Sequence, residues 1–285
     1  MAGPGPSVFP APGQPGHPGQ PGHPGHPAAR DRAPGTTPSA GPGAPAPPAE
    51  AGALFGPALG LAERYADLLA GPGVQRGLIG PRETARLWDR HLMNCAALAE
   101  LVPHPASVID LGSGAGLPGI VIAILVPDAQ IVLLEPMARR VAFLEECVAG
   151  LGLANATVRR GRAEDLAGEL TADVVVARAV APMQRLAGLA LGLTRPGGLV
   201  LALKGAGAGQ ELARARGVLR RLGARDAAVV QAGSGRVSPA ATVIRLTAGP
   251  AVSRDRPLTP ARTGARPGRA AGKAGTPQKP GGAAT

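Results

Sequence analysis

The sequence predicts a doubly wound α/β domain, a mostly parallel sheet covered by helices on both faces, preceded by an N-terminal helical cap. Three observations carry that reading. From Ser107 onward, short apolar runs alternate with longer helical segments: SVIDL then LPGIVIAIL, IVLLE then RRVAFLEECVAGL, and later TVRRG, ADVVVA, GGLVLALK, AAVVQ and ATVIRL. Several of those runs are apolar at consecutive positions, as strands buried from both sides must be. The first of them ends in Asp110-Leu111-Gly112-Ser113-Gly114-Ala115-Gly116 with a helical segment directly behind it, the strand-to-helix turn at which such sheets take ligands.

The cap comes from two apolar series at helical spacing. Leu61, Tyr65, Leu68 and Leu69 form the first, and Trp88, His91, Leu92, Cys95, Ala99 and Val102 the second. These place the cap at about residues 51–104 and the whole folded domain at residues 51–248, the size of one domain rather than two. Of the 43 glycines and 32 prolines, 25 fall in residues 1–50 and 13 in residues 249–285. Both ends therefore read as disordered tails. Residues 13–27 run as five Gly-x-Pro triplets, too few for a stable triple helix. His17, His23 and His26 within them have no cysteine beside them and no fixed metal-ligand spacing, so no metal site is assigned.

The net charge of +11 divides into nothing for residues 1–50, five positive charges for the middle and six for the C-terminal tail. A basic domain with a basic tail suits a polyanionic partner. No apolar stretch is long enough, free of charge and proline, to span a membrane, and the N-terminus lacks the pattern of a secretory signal. Cys95 and Cys147 alone exclude a disulfide framework and suit a reducing cytoplasm.

The glycine turn narrows the ligand. A dinucleotide fingerprint, GxGxxG, would put its third glycine at 117, where the chain has Leu117; the third glycine is Gly116. GxGxG with a carboxylate two positions earlier leaves room for the aminoacyl part of S-adenosylmethionine, with Asp110 acting on its ammonium group directly or through water. Glu135 closes the second strand, where a carboxylate could accept both ribose hydroxyls; a solvated strand end is the competing account. At Arg162-Ala163-Glu164-Asp165 the third strand turns, and this edge could meet the adenine, with an ordinary acidic helix cap as the rival account of Asp165.

The stretch from Gly77 to Leu246 resembles the RsmG (GidB) family of guanine-N7 methyltransferases of bacterial small-subunit ribosomal RNA. The resemblance rests on Arg90-His91-Leu92, VIDLGSGAGLPGI, LLEPMARRVAFL, Ala163-Glu164, VVVARAVAP and ALKG, in that order. It implies a Rossmann-like class I methyltransferase using S-adenosyl-L-methionine, with cofactor contacts at Gly112, Leu117, Ala163, Glu164 and Arg178. To these the reading of the turn and strand ends adds Asp110, Gly114, Gly116 and Glu135. The chain departs from the family's cap pattern at Asn94-Cys95 and at Gly77-Leu78-Ile79.

The implied substrate is 16S ribosomal RNA, whether naked, in the small subunit or in an assembly intermediate, met by a cytoplasmic monomer. After the fourth strand the chain reads Arg178-Ala179-Val180-Ala181-Pro182, lacking the Asp/Asn-Pro-Pro-aromatic pattern of amino-group methylation. Neither cysteine lies at a strand end to act as the nucleophile of carbon methylation. Guanine N7 carries a free lone pair and needs no base, so no catalytic acid or base is assigned and catalysis is positional. Arg178 is then a binding residue that organises the methionyl end or the guanine. With few aromatic residues, RNA is expected to be gripped by arginines and shape. Arg139, Arg140 and Lys204 are the candidate contacts, with His91 either near the acceptor or packing in the cap. Two alternatives stand against this reading: a nonenzymatic RNA-binding assembly factor, and a nicotinamide-dependent oxidoreductase.

Overall fold

The structure, a computed structural model, describes residues 43–250. The expectations for residues 1–42 and 251–285, the Gly-x-Pro triplets and the basic tail among them, lie outside the described residues. Strands β1 (Ser107–Leu111), β2 (Gln130–Glu135), β3 (Ala156–Arg160), β4 (Ala172–Arg178), β5 (Thr194–Lys204), β6 (Ala224–Ala232) and β7 (Ala241–Ala248) form one sheet in the order β3-β2-β1-β4-β5-β7-β6. All neighbours pair in parallel except β7, which runs antiparallel to both β5 and β6. Chain order reverses between β1 and β4, and a crevice opens there at the carboxyl ends of the strands.

Alternation along the strands sorts the core into two layers. Val108, Leu133, Val176 and Leu201 face one side, while Ile109, Val132, Val175 and Val200 face the other. The first layer is covered by α1 (Ala49–Phe55), α2 (Leu59–Leu68), α3 (Met93–Ala99), α4 (Gly119–Leu125) and α5 (Ala138–Leu151). On the second lie α6 (Ala163–Leu166), α7 (Met183–Gly192) and α8 (Ala208–Arg221). Each fully buried leucine or valine contributes about 1.5 to 3 kcal/mol, so both layers are needed to hold the sheet.

In the cap, the two sequence series do not form two plain helices. Behind α2 the chain widens into a π-type turn, Leu69–Gly73, where Pro72 removes a backbone donor. The second series begins in another such turn, Leu87–Leu92, before α3. Trp88, His91, Leu92, Cys95, Ala99 and Val102 are all buried, so the apolar face persists although its helical pitch changes.

The N-terminal boundary differs from the expected one. Glu50 already lies in α1, and residues 43–48 run along the cap. The Trp88 indole donates to the Pro45 carbonyl at 2.8 Å, and the Ala44 amide donates to Asp67 Oδ1 at 3.1 Å. Composition alone assigns this proline-rich stretch to the tail. The Pro45 carbonyl has no backbone partner, however, and the buried indole needs an acceptor. Phe55 meets the same Trp88 edge to face, with ring centroids 5.9 Å apart.

Candidate functional site

The turn after β1 is fixed from both sides. The Gly112 and Ser113 amides both donate to the Leu134 carbonyl, at 2.8 and 3.1 Å, tying the turn to the end of β2. Gly112 has φ +70°, a left-handed conformation, and a Cβ there would lie 3.2 Å from Val180 Cγ2. Gly116 has φ +96°, and a Cβ there would run into Ile120 and stand 2.8 Å from Tyr65 Oη. That hydroxyl donates to the Ala115 carbonyl at 2.8 Å, so α2 of the cap clamps the turn. The third glycine is thus required by its packing against Ile120 and Tyr65.

Asp110 departs from expectation. Its side chain is fully buried, and Oδ2 accepts the Gly119 amide at 3.0 Å, at the start of α4. Oδ1 finds no partner among the described residues. Burial pushes this carboxyl up to about 7. Its Oδ2 is turned to α4 and the residue is not on the crevice wall, so Asp110 shapes the turn.

Glu135 stands on the crevice wall but is 1% exposed. Its Oε2 accepts the Gly114 amide and its Oε1 the Met137 amide, both at 3.0 Å, and Arg140 Nη1 lies 3.6 Å from Oε2. The carboxylate expected to be open to a ribose is thus already holding two loops together. One lone pair on each oxygen remains for further contacts.

The crevice is walled by Gly112, Glu135, Ala163, Glu164 and Arg178, all expected there, and also by Arg140. Gly114, Gly116 and Leu117 are not on its wall; Leu117 is buried in the cap-side core layer. Arg139 and Arg140 part company. Arg139 is exposed, whereas Arg140 turns toward Glu135, with its Nε buried and without a partner among the described residues.

Arg178, at the end of β4, is held from the cap. Its Nη2 donates to His91 Nδ1, and its Nη1 approaches Cys95 Sγ at 3.7 Å. A guanidinium has no acceptor to offer, so Nδ1 must carry the lone pair and Nε2 the proton. Nε2 then donates to Glu83 Oε2 at 3.0 Å. Burial first, and Arg178 second, push the His91 pKa down and keep the ring neutral. The hydrogen bond from His91 in turn holds Glu83 below the usual carboxylate range. His91, expected near the RNA or in plain packing, instead links Glu83 to Arg178.

A second cleft adjoins the first across Ala179 and Val180, at the ends of β4 and β5. Ala179 has φ +53°, unusual for a residue with a Cβ. Lys204 lies beside this cleft but is not a free cation for RNA. Its side chain is 11% exposed, and Nζ donates to the Ala181 carbonyl at 3.0 Å and to Glu211 Oε1 at 2.8 Å. Neither Glu83 nor Glu211 is visible from sequence. Glu83 reaches His91 from a 3-10 segment, Pro81–Arg86, whose pitch changes at the π-type turn Leu87–Leu92, and Glu211 reads as one more acidic residue in the first turn of a helix.

This strand order with its antiparallel seventh strand, a glycine turn after β1 and a crevice at the switch point together define a Rossmann-like class I methyltransferase. Residues 59–238 match the family model described as GidB, rRNA small subunit methyltransferase G. Among curated relatives, the ribosomal RNA small subunit methyltransferase G of Thermobifida fusca is 55% identical over 215 residues, covering 75% of this chain and 91% of that one. Its namesake from Streptomyces coelicolor is 52% identical over 206 residues, covering 72% and 86%. That of Mycobacterium sp. (strain JLS) is 49% identical over 229 residues, covering 79% and 96%. The chain belongs to the GidB family, which sets aside the oxidoreductase alternative.

Proposed function

We propose that this protein transfers the methyl group of S-adenosyl-L-methionine to N7 of a guanine in 16S ribosomal RNA. Family membership supports the reading, and within the structure the observation that carries it is Arg178. This guanidinium is presented to the crevice at the end of β4 by a neutral histidine, so its charge is not cancelled on that side. The residues present fit the cofactor: a turn without a Cβ at Gly112, a cation for a carboxylate, and a wall formed by Glu135, Ala163 and Glu164. Arg178 would hold the methionyl carboxylate, Glu135 the ribose through its remaining lone pairs, and Ala163 with Glu164 the adenine edge. When bound, the cofactor supplies an electrophilic methyl group.

The chain's own part is positional. No side chain has to take a proton from N7, because the lone pair is already free. Arg178, hydrogen-bonded to His91, is a binding group. The product guanine is cationic, so cations must be kept from it; Lys204 meets that demand by spending its charge on Glu211. Among the described residues no helix is long and apolar enough to cross a membrane. We place the protein in the cytoplasm with its RNA, as a monomer.

The test is transfer of a labelled methyl group to small-subunit particles and to purified 16S RNA, both from a strain lacking this protein. Nucleotide analysis should find 7-methylguanosine. Tight cofactor binding with no transfer to either RNA would instead support the nonenzymatic assembly factor.

A further inference from the structure

Beside the crevice lies a cleft that no cofactor group occupies in the reading above. Its volume is about 740 Å³, within the range of small-ligand sites and ample for a nucleobase. It shares Ala179 and Val180 with the cofactor crevice, so a group passing between the two crosses only that border. Within it, Glu211 is held in one orientation. Oε1 accepts the Met183 amide at 2.6 Å and the Lys204 ammonium at 2.8 Å. Oε2 takes no hydrogen bond among the described residues, and the side chain is 26% exposed on the cleft wall. The cleft wall thus carries a carboxylate with one oxygen fixed by two donors and the other without a hydrogen bond among the described residues.

We propose that this cleft receives the acceptor base and that Glu211 selects guanine there, its Oε2 accepting from N1–H and from the exocyclic N2 amino group. The proposal rests on the methyl-transfer reading above. Guanine offers two adjacent donors on that edge, whereas adenine offers an acceptor at N1, which a carboxylate repels. With its Watson–Crick edge turned to Glu211, the base leaves N7 on its other edge for the shared border. The N7 lone pair forms the new bond to the methyl carbon as the carbon–sulfur bond breaks. That bond's electron pair goes to sulfur, no proton moves, and one positive charge passes from sulfur to the purine. The purine's donors become more acidic as that charge develops, so the carboxylate binds more strongly in the transition state than before it. Lys204, which also lines the cleft, fixes Glu211 and gives a second donor to the Ala181 carbonyl.

The anchoring also predicts what a conservative change does. In Glu211→Gln, the Met183 amide and the Lys204 ammonium both require an oxygen at the back, which turns the amide NH2 toward the cleft. An acceptor becomes a donor in the same place.

The experiment uses small subunits reconstituted with guanosine or inosine at the target nucleotide, after the methylated position has been identified with wild-type protein. Inosine lacks only the N2 amino group. Wild-type kcat/KM should fall roughly 10- to 100-fold on inosine, the effect of one hydrogen bond to a charged group. Glu211→Gln should be slow on guanosine and no slower on inosine, with S-adenosylmethionine affinity within about twofold of wild type by the same hydrogen-bond accounting. Equal wild-type rates on the two substrates, which require no variant to fold, would overturn the assignment of Glu211. So would a Glu211→Gln protein that still prefers guanosine. Absence of wild-type transfer to N7 of any guanine would be a different failure, that of the methyl-transfer reading itself.

Discussion

The two sides of the crevice treat their charged groups differently. On the β1–β2 side, Asp110 and Glu135 are turned inward and hold backbone amides of Gly119, Gly114 and Met137. On the β4–β5 side, Arg178 is held by His91 and Cys95 of the cap, and Glu211 by Lys204 and the Met183 amide through one oxygen only. Carboxylates of the first kind build the shape of the site, Glu135 keeping one lone pair on each oxygen. Charges of the second kind are aimed by their partners and remain available to a ligand, and only partners, not positions in a motif, tell the two kinds apart.

The largest effect should come from breaking the built side. Gly116→Val forces a β-branched residue to φ +96° and drives its Cβ into Ile120 and Tyr65, which should cost about 3 kcal/mol or more of stability. Urea unfolding measures it, and a loss under about 1 kcal/mol would mean that the turn yields easily.

Asp110, on the same side, carries an effect of similar size whose sign can be worked out. Its folded pKa, about 7 against an ordinary 3.8, is raised, so the folded state holds the proton more firmly. The resulting stabilisation is complete below about 3.8 and is lost as pH rises through about 7, on the order of 4 kcal/mol in all. Asp110→Asn keeps an acceptor for Gly119 and removes the titration. Between pH 4 and pH 8 the wild type should therefore lose stability relative to this variant; parallel curves would show that the carboxyl titrates normally.

On the aimed side, His91→Phe preserves bulk but removes the acceptor at Nδ1 and the donor to Glu83. Cofactor affinity should weaken about tenfold by calorimetry, the worth of one charged hydrogen bond. An unchanged affinity would reduce His91 to packing.

The smallest effect should separate two adjacent arginines. Arg140→Ala, beside Glu135, should lower cofactor affinity. Arg139→Ala should leave it intact and flatten the salt dependence of RNA binding by roughly 0.7 to 0.9 in logarithmic slope, the share of one phosphate. The opposite assignment of effects would exchange their roles.

Much of the architecture can be read from the chain. The runs from SVIDL to ATVIRL became the seven strands; in β1, β2 and β4, residues apolar at consecutive positions are buried from both sides, whereas β3 and β6, at the sheet edges, are largely exposed. Gly112, Arg178 and Ala163-Glu164 line the crevice at the carboxyl edge. Partnership was not legible. Lys204 and Arg140 look like free cations until the fold sets Glu211 and Glu135 beside them. Glu83 is joined to His91 through a segment whose pitch changes, and periodicity cannot follow it there. Residues 43–50 read as tail because proline and glycine erase the very pattern by which a packed segment is recognised.

Tyr65 of the cap hydrogen-bonds the Ala115 carbonyl, and its oxygen, together with Ile120 of α4, leaves no room for a side chain at position 116. Cap and sheet are therefore not independent at this turn: losing the phenol at position 65 would strip the Ala115 carbonyl of that donor, while Ile120 would still hold position 116 against a Cβ.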